Sequence, residues 1–536
     1  MNSNPTFNIS LFVIASLLLV GSFPAMRGSQ PVMAYQVPRV PTQFMAKMYT
    51  EGLGRVPEQA GWQAGANFFA QNGCNKNSLK TWGRGVYLSA EYNNTRYDNA
   101  ARLLTLYRGV LNREPDRAGF DSNLARLNSG TPWAAVVDSF FDSAEFQTLI
   151  PLICGNAPGF DKFNYGFGKP GQPAISVPTS GTGFRGGTSQ QLQQLIDATP
   201  AGGTVWLAQK ALVEVTGPVN LKAGVTLSTT PAPSPSGYAM LGRLVRARNY
   251  VGPVIRMFPG AKLKAVWVDG ARAQVTYNPA SINVVMLGGA GSIVSDCKIS
   301  DTAGFTGIRA LGAGDADENP DARPCANMSI HHNLVTSYSS IHTNNMYADG
   351  ISSSCENTLI QENQVVDATD VGIIIYEALP AIQASKVRNN VVLSAGNSAY
   401  GAYAADPLQG QTLRPDFTGS VVERNLLWTG PNTHFDIALA IGTRPWFAPN
   451  AALGRGASFT DNTTGTLNAR AVSGIAVSGM LNAFVQRNVL TVTRVPDTQE
   501  VPCPSEFVWA SVSAGFASGS IQPYKDVNVT SACMGH

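Results

Sequence analysis

A chain of 536 residues exceeds what one hydrophobic core usually supports, so two or three domains are expected. Only 14% of residues are charged and the net charge is +3, which excludes a disordered polyelectrolyte and gives no electrostatic reason to expect nucleic acid as a partner. The 53 glycines, together with many Ser, Thr, Val and Asn, point instead to a strand-rich extracellular protein.

The apolar run ISLFVIASLLLV (residues 9–20) has the length of a signal-peptide core and is too short to span a bilayer comfortably. "VMA" ending at Ala34 is the expected cleavage site, with "FPA" ending at Ala25 as a rival. No Lys or Arg precedes Arg27, so an uncleaved anchor remains the alternative. Residues 1–34 are read as a signal peptide, and the mature chain, with no membrane span, is expected to be secreted or at the cell surface. The 7 cysteines suit an oxidising compartment.

"MYTEGLGRVPEQAGW" from Met48 and "LYRGVLNREPDRAGF" from Leu106 carry Tyr, Leu, Arg, Pro and Ala-Gly-aromatic at equal offsets. "SAEY" ending at Tyr92 and "SAEF" ending at Phe146 continue the match. Between them lies the i, i+3, i+4 apolar spacing of amphipathic helices, so residues 40–155 are predicted to be a duplicated helical module bracketed by Cys74 and Cys154. The second phrase resembles a helical repeat of unknown function found in secreted and surface-associated bacterial proteins. That resemblance implies attachment or presentation more than chemistry, with a mere folding appendage as the equal alternative. Residues 156–188, rich in Gly, Pro, Ser and Thr, read as a linker.

From Thr188 the pattern becomes one amphipathic helix (Leu192, Leu195, Ile196) followed by short Val/Leu strands between glycine turns. Seven segments then align on Cys297, Asn333, Asn363, Asn390, Asn425, Asn462 and Asn488. Three positions earlier stand Val294, Ile330, Ile360, Val387, Val422, Phe459 and Val485, and two positions later, in six of the seven, another aliphatic residue. An inward Asn at a corner, bonded to the Asn of the next rung, satisfies buried amides in a continuous ladder across a spacing of about 4.8 Å. The fold predicted for residues 189–495 is therefore mainly β, a parallel solenoid. Cys325 and Cys355 each precede a ladder Asn by eight residues on adjacent rungs and are predicted to be bonded, with Cys297 buried and unpaired. Residues 496–536, with Cys503 and Cys533, read as a tail closed by a disulfide.

The opening of this region looks like that of right-handed parallel β-helix proteins of the pectate lyase type, in which a short helix caps the first coil. After each ladder strand comes a second phrase: "TGIRA", "DGISS", "VGIII", "YGAYA", "FDIAL" and "SGIAV". Their outward residues form one vertical row, placing Asp349, Asp370, Tyr400 and Asp436 on or beside a groove. Arg309, Tyr376, Tyr403 and Asp406 are neighbours, and His342, Asn344, Asn345 and His434 lie on preceding loops. "YADGI" and "TD" (Thr369-Asp370) resemble two phrases of the polygalacturonases, a β-helix glycoside hydrolase family, at nearly the family's spacing. The resemblance implies that Asp349 and Asp370 share acid/base work on a glycosidic bond. The chain departs from that family in lacking Gly-His-Gly and Arg-Ile-Lys, and turn capping by the two aspartates is the competing reading.

A lyase would use a cation and a base, for which Arg309, Tyr376 and His342 are available. "DADENPD" (residues 315–321) reads either as a calcium loop or as a solvated acidic loop, since Pro320 stands where the loop glycine belongs. No other metal or cofactor is indicated. Trp428, Trp446, Tyr400 and Tyr403 are candidates to stack on sugar rings or to pack in the core. The expectation is a protein that cleaves an extracellular, uronic-acid-containing polysaccharide by hydrolysis or elimination, with the helical module meeting cell-surface components. The rival is a non-catalytic adhesion or glycan-binding β-helix.

Overall fold

The computed structural model describes residues 40–155, 172–233, 237–271, 275–311, 325–338, 347–376, 383–406, 416–442, 454–477, 480–495 and 528–530. The signal-peptide segment, linker residues 156–171, residues 315–321, His342, Asn344, Asn345, Trp446, Cys503 and Cys533 lie outside them.

Helical residues run from Thr42–Lys47 to Ala144–Ile153. The duplication is preserved down to single side chains. Gly54 and Asn112 end the equivalent turns in the left-handed region (φ 65° and 53°). Arg55 binds Glu91 at 2.6 Å beneath the Tyr49 ring, and Arg113 binds Glu145 at 2.5 Å beneath the Tyr107 ring. Side-chain caps from Asn75, Ser89, Asp98, Asp116 and Ser143 satisfy first-turn N–H groups. A disulfide joins Cys74 to Cys154.

Beyond the module, most rungs contribute one strand to each of three parallel faces of the coil. The first sheet stacks Leu263, Val294, Ile330, Ile360, Val387, Val422, Phe459 and Val485 in register, the column expected from the sequence. The second stacks Val268, Ile299, Val335, Val365, Val392 and Leu427. At the corner between them the ladder closes. Asn333 Nδ2 donates to Asn363 Oδ1 (2.9 Å), and the same bond recurs from Asn363 to Asn390, Asn425, Asn462 and Asn488 at 2.8–3.0 Å. Each Oδ1 also accepts the backbone N–H of the ladder residue one rung earlier, Cys297 N–H included. The preceding residue of each rung (Asp296, His332, Glu362, Asn389, Arg424, Asp461 and Arg487) takes a left-handed φ of 51–57°. That conformation turns the chain within two outward residues, and the ladder bonds offset its strain.

Cys325 is bonded to Cys355 with Cα atoms 4.9 Å apart, and Cys297 is buried and free, as the rung alignment predicts. The capping helix is Ser189–Ala198, whose Leu192 and Ile196 are buried while Leu195 is 43% exposed, a departure from the expected apolar stripe. Phe184–Thr188, within the stretch read as a linker, is a strand paired with Thr204–Val215. No described helix is long and apolar enough to cross a membrane.

The helical module lies against the outer face of the second sheet. Trp62 meets Trp428 edge-on at 6.3 Å, Gln59 bonds Thr464 O, and the Val56 N–H bonds Gln364. Trp428 is 1% exposed, so it belongs to this contact and not to a sugar-binding surface. Nearer the N-terminal end of the coil, Trp267 underlies three cations, Arg243, Lys298 and Arg108, at 4.0, 4.4 and 4.8 Å from its ring. Those cations are neutralised by Glu51, Glu114, Asp269 and Asp301.

Candidate functional site

The third sheet carries the aspartates. Ile308, Ile351, Ile373, Tyr403, Leu439 and Ile475 form its inward column. Gly307, Gly350 and Gly372 also turn inward, where a Cβ would come within 2.5–2.9 Å of Val335, Val365 and Val392. This pair of consecutive inward residues forces the residue before the glycine outward, which is why Asp349 faces away from the core.

Asp349 opens the strand Asp349–Ser353 and is 7% exposed. Its Oδ1 accepts the Val371 N–H at 3.1 Å, a bond to the next rung. Burial raises its carboxyl well above the ordinary carboxylate range, and the neighbouring Asp370 charge pushes it further up. The Val371 and Ser352 bonds and the Arg309 charge oppose these effects without overcoming them. Asp370 is half-buried. Arg309 is held between the Phe305 ring (4.6 Å) and the Tyr376 hydroxyl, to which its Nε donates at 2.9 Å. Burial raises the Tyr376 hydroxyl, with Arg309 opposing.

Because Val371 pairs with Gly401, and Gly401 with Ile437, the residues before them, Asp370, Tyr400 and Asp436, stand one above another. Asp349 sits one position off this row, in register with Thr306 on the rung below. The Tyr400 hydroxyl donates to that of Tyr347 at 2.7 Å, with the rings edge-on at 4.7 Å. His434 Nδ1 is 3.0 Å from Ser398 Oγ, and its Nε2 is 3.4 Å from Asp436 Oδ1. Tyr347, Tyr400 and His434 with Asp349, Asp370 and Asp436 thus line one side of the coil, while the parallel outward column of Ile374, Ala404, Ala440 and Ala476 is buried.

Tyr403 is a correction. It is fully buried, with its hydroxyl donating to the carbonyls of Asn390 and Leu426, so it cannot touch a ligand in the groove. The phrase YGAYA is shifted by one against VGIII, so that Val371 pairs with Gly401, and Ile373 pairs with Tyr403. A single-residue slip moves a side chain to the opposite face. His331 and His332 lie on the outward corner, His332 paired with Glu362. Asp406 is 4% exposed, opposite Tyr376 on the next rung.

Sequence reasoning missed Tyr277. Its hydroxyl donates to Tyr347 O at 2.7 Å, and its titration is raised by burial and then by Asp370 and Asp349. A contact 70 residues apart, made from an irregular segment, leaves no periodic signal. Among the described residues no cluster of three His, Cys, Asp or Glu is placed to hold a metal.

A family model described as a domain of unknown function (DUF4214) matches residues 84–150, within the helical module. No curated protein matches the chain. Among solved structures, the endo-xylogalacturonan hydrolase of Aspergillus tubingensis is similar at 11% identity over 64% of this chain and 96% of that one (TM-score 0.42). The A-module of a mannuronan C-5 epimerase of Azotobacter vinelandii is similar at 13% identity over 66% and 98% (TM-score 0.38). A tailspike mutant of E. coli bacteriophage HK620 is similar at 12% over 62% of each chain (TM-score 0.35). The chain is a parallel β-helix carrying a helical module, and at such identities fold does not transfer activity.

Proposed function

We propose that the protein is secreted and cleaves an extracellular, uronic-acid-containing polysaccharide along the third sheet, by hydrolysis. Asp349 is the general acid that protonates the glycosidic oxygen, and Asp370 is the ionised partner that activates water. The observation that carries this reading is the Asp349 carboxyl, buried and close enough to Asp370 that both burial and the like charge raise its pKa and favour its protonated form. Arg309 supplies the positive charge that a uronate carboxylate requires, and Tyr347 and Tyr400 offer a ring surface for the sugar. The two disulfides support an oxidising destination.

A second reading is a non-catalytic glycan-binding coil, favoured by the Asp349–Val371 bond, which also serves as a rung-to-rung brace. Incubation with a panel of uronic and neutral polysaccharides separates the two. Hydrolysis releases reducing ends without unsaturated, ultraviolet-absorbing products, whereas elimination gives both. Asp349→Asn and Asp370→Asn are each expected to lower the rate by about 10²–10⁴-fold. Unchanged rates in both variants would remove the pair from the mechanism.

A further inference from the structure

Away from the groove, a cavity of about 550 Å³ lies between the helical module and the second sheet. Two kinds of cation line it. Arg108 and Arg243 are neutralised, the first by Glu51, Glu114 and Asp301, the second by Glu114 and Asp269. Arg246 is not. It is 2% exposed, and among the described residues its guanidinium donates to the carbonyl oxygens of Gly252 and Ile282 while its Nε–H meets no acceptor. Its other close neighbour is the Tyr250 ring, 5.5 Å from the guanidinium carbon. Burial pulls its titration down to about 10, and neither Tyr250 nor Asp269 restores it.

A buried guanidinium with no carboxylate paired to it among the described residues is costly, and its planar donor fork matches a carboxylate. The space it borders is of the size that holds small ligands, roughly 300–1,000 Å³, and far exceeds one carboxylate. Its remaining walls mix apolar Leu212 and Val245 with polar Gln172 and Thr188, the exposed carboxylate of Glu214, and the cations Lys47, Arg113 and the exposed Arg248. We propose that this cavity binds a small sugar acid, its carboxylate seated on Arg246 and its ring against the mixed walls. A ligand there touches both the module and the coil, so its binding strengthens their docking. The proposal is independent of the aspartate pair in the groove.

Calorimetric titration and thermal unfolding of the full chain with galacturonate, galactose and inorganic phosphate test it. Galacturonate is expected to bind and raise the melting temperature, while galactose does neither. Arg246→Gln is expected to weaken galacturonate by at least about tenfold, a loss of roughly 1.4 kcal/mol. Arg248→Glu, a surface change that leaves the buried network intact, is expected to weaken it as well. Equal responses to galacturonate and galactose, binding of phosphate but not galacturonate, or undiminished affinity in Arg248→Glu would each overturn the proposal.

Discussion

At the scale of single residues, the account turns on how one carboxyl is held. Asp349 loses solvent, gains a like charge in Asp370 and accepts one N–H from Val371; the first two win. The sign for stability follows from proton binding. Between the unfolded value near 4 and its raised folded value, Asp349 keeps a proton in the native state that the unfolded chain has lost. Its contribution therefore declines as pH rises through that window. Asp349→Asn should consequently gain stability relative to the parent as pH is raised, readable in urea midpoints at several pH values. If Asp349 is the acid, kcat/KM of the parent should also fall on the alkaline side as that proton leaves.

At the scale of elements, the coil is held by repetition. Asn390 accepts from the Asn363 N–H and side chain, and donates to Ile360 O and Asn425 Oδ1. Asn390→Ala strands several buried groups at once, so a loss of about 3 kcal/mol is expected, measured by equilibrium unfolding. This ladder was legible in the sequence because a buried amide needs an identical partner one rung away, so the residue must recur. The Cys325–Cys355 bond was legible through the same register. The third sheet was less so, since its consecutive inward residues break the alternation. One glycine then misassigned Tyr403, whereas Asp370, Tyr400 and Asp436 share a column through the pairings Val371–Gly401 and Gly401–Ile437, with Asp349 one position off it.

At the scale of the molecule, the docking of the module was illegible. Arg108–Asp301 and Lys298–Glu51 join positions 193 and 247 residues apart, and nothing local in the sequence announces either. Trp267 is the apolar platform beneath three cations, so Trp267→Ala is expected to destabilise the docked module by about 3–5 kcal/mol. Glu114, held at about 2 by Arg243 and Arg108 against its own burial, adds stability that is complete above its unfolded value near 4.3. That stability is lost as pH falls toward 2, and Glu51, also depressed, acts in the same direction. Hydrogen exchange in the helix Asn99–Gly109 should therefore accelerate across that interval relative to the coil's first sheet. The module then covers one flank of the coil and leaves the third sheet as the face on which a glycan chain is proposed to lie.

The most direct measurement is a carbon-13 NMR titration of the aspartate carboxyls, with Asp349→Asn to assign the signal. Asp349 is predicted to titrate well above the usual carboxylate range and to move downward in Asp370→Asn. A carboxyl that titrates at or below the ordinary value, unmoved by Asp370→Asn, is that of a turn brace and would contradict the proposed acid.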